Sequence, residues 1–162
     1  MRLQYANSFS RIPILLRYYA YCNHDGPNRR NWFRHLGEEW DLCDNIGIYR
    51  NELFAILSNA SVPIRAEMMD ERELKRWRKL PRVVTVYRGC DSHNRLGLSW
   101  TTKRTVAEKF PFLNRYHAKT PLLLTARVPK SCVVAIKLGR REEEAIVLAG
   151  EQHIAAENSL TV

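Results

Sequence analysis

The chain has 162 residues, 45% hydrophobic and 27% charged, and 26 Lys and Arg against 17 Asp and Glu give it a formal net charge of +9 at pH 7. This is the composition of a folded chain rather than a disordered one, and no apolar run approaches the roughly 20 residues of a membrane-spanning helix. The first apolar stretch, Ile12–Leu16, is interrupted by Pro13 and is too short for a secretory core, so a cytoplasmic protein with no membrane partner is expected.

Up to about Leu80 the apolar spacing is helical. Asn23–Arg30 is a loop by its Gly, Pro and Asn content. Trp32, Phe33, Leu36, Trp40 and Cys43 then recur at three- and four-residue intervals, with Asn28 or Asn31 as the cap. Tyr49, Leu53, Phe54, Ile56 and Leu57 resume the pattern after a break at Asn45–Gly47. Asp70 and Glu73 form a capping-box pair opening a helix over Glu71–Leu80, which Pro81 stops.

After Pro81 the period shortens. Val83–Arg88 is β-branched and aromatic and reads as a strand, followed by a short one at Leu98–Thr101. Thr102–Phe110 reads as a helix capped by Thr102 or Thr105, with Thr105 and Glu108 spaced for a capping box. Leu122–Val128, Cys132–Leu138 and Glu144–Ala149 are three further strands. The expected architecture is α+β in a single domain, residues 1–80 forming a helical front on a mixed sheet built from residues 81–162.

Cys22, Cys43, Cys90 and Cys132 are scattered, with no C-x-x-C pair and no His at zinc-ligand spacing, so they read as small apolar side chains and no metal site is expected. None of the five histidines has an acid/base partner in sequence. The positive balance is spread along the chain, with 13 basic and 10 acidic residues in 1–80 and 13 and 7 in 81–162. Such a field attracts anions: nucleic acid, a phosphate-bearing cofactor or an acidic protein.

Three segments of the second half combine residues able to do chemistry: Tyr87-Arg88-Gly89 ending a strand, Ser99-Trp100-Thr101 running from a strand into a helix, and Glu142-Glu143-Glu144 opening a strand. This order resembles the Arg–Ser–Glu class of mono-ADP-ribosyltransferases over about residues 83–149. The resemblance implies an ADP-ribosyltransferase-like split mixed sheet and NAD as co-substrate. Arg88 would clamp the pyrophosphate, since a guanidinium forks onto phosphate oxygens as an ammonium cannot. Gly89 would let the backbone approach nicotinamide. Ser99 would orient the carboxylate and ribose, with Thr101 on the same strand face and Trp100 turned to the core. Glu144, directly before Ala145-Ile146-Val147-Leu148, would stabilise the charge that develops on the ribose, and Glu142 would meet the acceptor. A one-residue slip would put Glu143 in the catalytic place. Among Phe110, Phe112 and Tyr116, Phe112 is the residue assigned to pack on nicotinamide, Phe110 being read as core.

The acceptor expected is a macromolecule. Glu142 points to a protein arginine, while Arg29-Arg30 and the Lys75-Arg76-Trp77-Arg78-Lys79 run point to RNA or DNA, which is slightly favoured. Small members of such families are often toxins or defence effectors, so an antitoxin or inhibitor protein is a further expected partner. The competing readings are a non-catalytic basic nucleic-acid-binding module and an NAD glycohydrolase that uses water as acceptor.

Overall fold

Among the described residues, apolar residues three and four apart build five helices in the front of the chain: α1 (Arg11–Tyr19), α2 (Pro27–Glu39), α3 (Arg50–Ser58), α4 (Val62–Ala66) and α5 (Glu71–Arg78). A sixth, α6 (Arg104–Lys109), lies in the second half. The computed structural model describes every residue except 1, 2, 4, 23–25, 114–117, 140, 141 and 162. Helix α2 starts at Pro27 with Gly26 in the capping position, not behind Asn28 or Asn31. Proline's fixed φ and missing N–H suit a first helical residue and move the start forward. Helix α5 opens on the expected capping box, Glu73 N donating to Asp70 Oδ1 at 2.8 Å and Asp70 N to Glu73 Oε2 at 3.0 Å.

Six strands follow among the described residues: β1 (Val83–Asp91), β2 (Ser99–Thr101), β3 (Pro121–Pro129), β4 (Val133–Lys137), β5 (Glu144–Val147) and β6 (Ile154–Ser159), in the order β4-β5-β2-β1-β3-β6. The fold is therefore α+β, but every pairing is antiparallel rather than mixed. β1–β2 and β4–β5 are hairpins, and a short return reverses the chain where a parallel neighbour needs a long crossover.

The sheet cannot lie flat. β3 and β4 are four places apart in the order, roughly 19 Å at the usual strand spacing. Only Lys130–Cys132 joins them, in a 3₁₀ turn, and even fully extended that link spans no more than about 14 Å. The sheet must fold over, and it does so at its weakest seam, where β1 and β2 pair only at Tyr87 and Thr101. Val84, Val86, Trp100, Leu124, Ala126, Ile136, Ala145 and Val147 fill the space between the two halves. On the outer face of β4-β5-β2, Leu98, Val134, Ala135 and Ile146 join Leu15, Phe33, Leu36, Trp40, Leu53 and Leu57 in a second core. The helical front and the sheet thus share apolar packing. No helix among the described residues is long and apolar enough to cross a membrane.

Candidate functional site

Past their single pairing, β1 and β2 diverge toward Arg88 and Ser99, and a cavity of about 650 Å³ opens there. Its wall contains Arg88, Gly89, Ser99, Thr101, Glu142 and Glu144, six of the seven residues singled out from the sequence. The seventh, Phe112, is 38% exposed and lies outside the wall, and Phe110 lines the cavity in its stead. Phe110–Phe112 is a 3₁₀ turn, in which residues two apart point to different sides. Tyr116, Arg140 and Arg141 lie outside the described residues.

The strand register separates the three glutamates. Glu144 is level with Thr101 on β2, and Ser99 with Ile146, so Ser99, Thr101 and Glu144 project from one sheet face. Trp40 Nε1 donates to Glu144 Oε1 at 2.8 Å, and Ser99 also hydrogen-bonds the carboxylate. Glu143, at φ +48°, turns the other way. Its Oε1 accepts from Arg76 Nε at 3.0 Å and from Thr102 Oγ1 at 2.6 Å, which ties the turn to α5. The slipped register with Glu143 in the cavity does not occur. Burial alone would raise the Glu143 pKa, but the Thr102 hydroxyl and Arg76 outweigh it and hold it low. Glu144 is shifted in the opposite direction. Burial raises its pKa against the Ser99 and Trp40 hydrogen bonds, and the nearby carboxylates of Asp41 and Glu142 add to the rise.

Ser99 links the two ends of the arrangement. Its carbonyl accepts from Arg88 Nη1 at 2.5 Å while its side chain reaches Glu144. Arg88 Nη2 donates to Asn94 O at 3.1 Å, and the guanidinium lies so close over Gly97 that a Cβ there would sit 2.3 Å from Nη2. Arg88 therefore organises the 94–99 loop from inside the cavity. Gly89 has a steric reason of its own: a Cβ would fall 1.8 Å from Ala107 O, so glycine lets α6 pack on β1. Thr101 is a brace, donating from Oγ1 to Glu142 O at 2.8 Å and accepting from Lys103 N at 3.1 Å. The capping position of α6 is Lys103, without a side-chain cap, rather than Thr102 or Thr105, and the Thr102 hydroxyl is spent on Glu143. Glu108 pairs with Arg104 rather than with Thr105.

Trp40, Asp41 and Arg50 are cavity residues that local sequence reading missed. Trp40 carries only a helical-period signal and Arg50 only its charge. What brings them to the wall is the docking of the helical front on β4, β5 and Leu98. His93 also lines the cavity, with Nδ1 3.0 Å from Asp91 Oδ1. Burial opposes ionisation of Asp91, but Thr120 and Lys119 N–H groups, His93 and Ser92 overcome it and hold the carboxylate well below its usual range.

The expected nucleic-acid face is smaller than the sequence suggests. Arg29 is buried against Tyr19 and Phe33, and Arg30 pairs with Glu67 at 3.0 Å. Trp77 donates to Val133 O at 2.8 Å with Lys130 over its ring. Lys75, Arg78, Lys79 and Arg82 remain exposed beside one another. Comparison with known protein families, with characterised proteins and with solved structures gives no match.

Proposed function

We propose that the cavity binds NAD and that the protein transfers ADP-ribose from it to a macromolecular acceptor, on an ADP-ribosyltransferase-like split sheet. The observation that carries this reading is the double engagement of Ser99, carbonyl to Arg88 and side chain to Glu144, in a cavity of about 650 Å³, a volume that suits a cofactor-sized ligand. Nicotinamide departs as a neutral ring with the electron pair of the broken bond, so no acid is required. What the reaction needs is negative charge beside the ribose carbon, and Glu144 held by Trp40 and Ser99 supplies it without reorganisation. Glu142, on the same wall, takes the proton of the attacking acceptor group. Phe110, which lines the cavity, is the aromatic we assign to nicotinamide.

Nucleic acid is the acceptor we favour. The exposed basic run at the end of α5 lies on the helix whose Arg76 grips Glu143, next to Glu142 and Glu144. The test is incubation with NAD labelled in its adenylate half and cell lysate, then separate digestion with protease and nuclease. Label released by nuclease, and a loss of at least a thousandfold in Glu144→Gln, is the expected result. Equal labelling by Glu144→Gln would overturn the mechanism. Free ADP-ribose without labelled polymer means a glycohydrolase. Oligonucleotide binding with no nicotinamide release means a binding module.

A further inference from the structure

We propose that Arg50 is the principal anion-binding group of the cavity, forming a subsite for a pyrophosphate or other paired phosphate, while Arg88 is the positioning residue that fixes the loop between them. In its dinucleotide form this inference rests on the reading of the cavity given above, but the subsite itself stands on three observations. The first is what each cavity arginine is engaged with. Arg95 bonds Glu151 at 2.7 Å and Glu157 at 2.5 Å, so its charge is compensated. Arg88 spends Nη1 and Nη2 on the carbonyls of Ser99 and Asn94. Arg50 has no carboxylate within ion-pair distance among the described residues.

The second observation is that Arg50 is held without being consumed. Its Nε donates to Leu96 O at 2.8 Å, and its guanidinium carbon lies 4.7 Å from the centre of the Phe54 ring. A backbone bond at one edge and an aromatic face beneath fix the plane of the fork. The opposite edge carries Nη1, whose one bond is to the exposed Asn51 Oδ1 at 3.2 Å, and Nη2, which makes none among the described residues. Two parallel N–H groups on a fixed plane are the donor pattern that grips phosphate oxygens. The third is location. Arg50 and Arg88 grip the same loop, at Leu96 and at Asn94 and Ser99, whereas Asp41 and Glu142 share the wall with Glu144 and lie close enough to raise its pKa. The cavity thus has a cationic side and a carboxylate side, matching a ligand anionic at one part and cationic at another.

The experiment is calorimetric titration of the full chain with inorganic pyrophosphate, with ADP and with nicotinamide riboside, which lacks phosphate, alongside NAD kinetics. Arg50→Met is expected to weaken pyrophosphate and ADP roughly ten- to a hundredfold, the loss of a charge-assisted fork, and to leave the riboside unchanged. KM for NAD should rise with little change in kcat. Arg50→Lys should recover only part of the affinity, and it keeps the test open if the methionine variant does not fold. Arg88→Lys should lower kcat more than ADP affinity. Unchanged ADP and pyrophosphate affinity in either Arg50 variant, or no binding of either anion by the wild type, would sink the proposal. NAD cleavage that persists with an unchanged KM in Arg50→Met rejects the subsite and keeps the transferase. Arg50-dependent anion binding with no NAD cleavage supports the subsite and rejects the transferase.

Discussion

Glu144 owes its state of charge to residues far from it in sequence. Burial and the carboxylates of Asp41 and Glu142 raise its pKa, and the hydrogen bonds from Ser99 and Trp40 restrain the rise. The proposed transfer uses the ionised form, so activity should climb with pH through a midpoint above that of an ordinary carboxylate. Trp40→Phe keeps the ring in the core and removes the N–H that reaches Glu144. Its acid limb in kcat/KM should move to higher pH than in the wild type, because the ionised carboxylate has lost a donor. A purely structural role for Trp40 would lower activity without moving the limb. The three glutamates show how much of this scale could be read from the chain. Glu144 preceding four apolar residues marked it as the first residue of a strand, and alternation put Ser99 and Thr101 on one face, but the register that sets Glu144 level with Thr101 came only with the pairing of β2 and β5. Nothing local told Glu143 from Glu144. That choice rests on a positive φ at Glu143 and on Arg76, 67 residues away, claiming its carboxylate.

At the scale of elements, one buried charge pair joins α5 to the sheet. Lys137 Nζ on β4 lies 2.8 Å from Glu73 Oε2 and 3.1 Å from Met68 O, with side-chain exposures of 9% and 6% for the ionic partners. Glu73 also accepts from Leu138 N at 3.0 Å and closes the α5 capping box. Lys137→Met leaves that carboxylate buried without its cation and should cost about 3 kcal/mol in urea unfolding, since a buried charge stripped of its partner is far worse than an exposed one. The double variant Lys137→Met with Glu73→Gln should recover part of the loss, as the uncharged amide needs no counterion. The capping box at Asp70 was legible because it is a four-residue pattern. Lys137 was not, standing at the end of a run that reads as plain strand. β6 also escaped: Ile154–Ser159 is half-exposed or exposed throughout and carries Ala, Glu and Asn, which have little preference for strands. It is a strand because β3 offers it an edge over five register pairs.

For the molecule as a whole, the net charge of +9 resolves into compensated and uncompensated parts. Arg11, Arg30, Arg34, Arg76, Arg95 and Arg104 all sit in ion pairs, while Lys75, Arg78, Lys79 and Arg82 form an exposed group at and just past the end of α5. The triple variant Lys75→Glu, Arg78→Glu, Lys79→Glu should weaken oligonucleotide binding and lower the slope of log K against log salt by about 2–3, as expected from losing three phosphate contacts. Nicotinamide release from NAD in the absence of polymer should be unaffected, which separates acceptor docking from chemistry. An unchanged salt slope would place the acceptor elsewhere on the surface.

The chain's local patterns were enough to establish an α+β protein, the position of most helices and strands, and the order arginine, serine, glutamate along three of its strands, because periodicity, caps and strand alternation act over a few residues. Tertiary structure decided what those residues meet. Three residues between β3 and β4 force the sheet to fold at the Tyr87–Thr101 seam, and the cavity exists because β1 and β2 part there. The packing of the helical front against Leu98, β4 and β5 then brings Trp40 and Arg50 to its wall, contacts fixed by shape and by partners distant in the chain, which no short window of sequence contains.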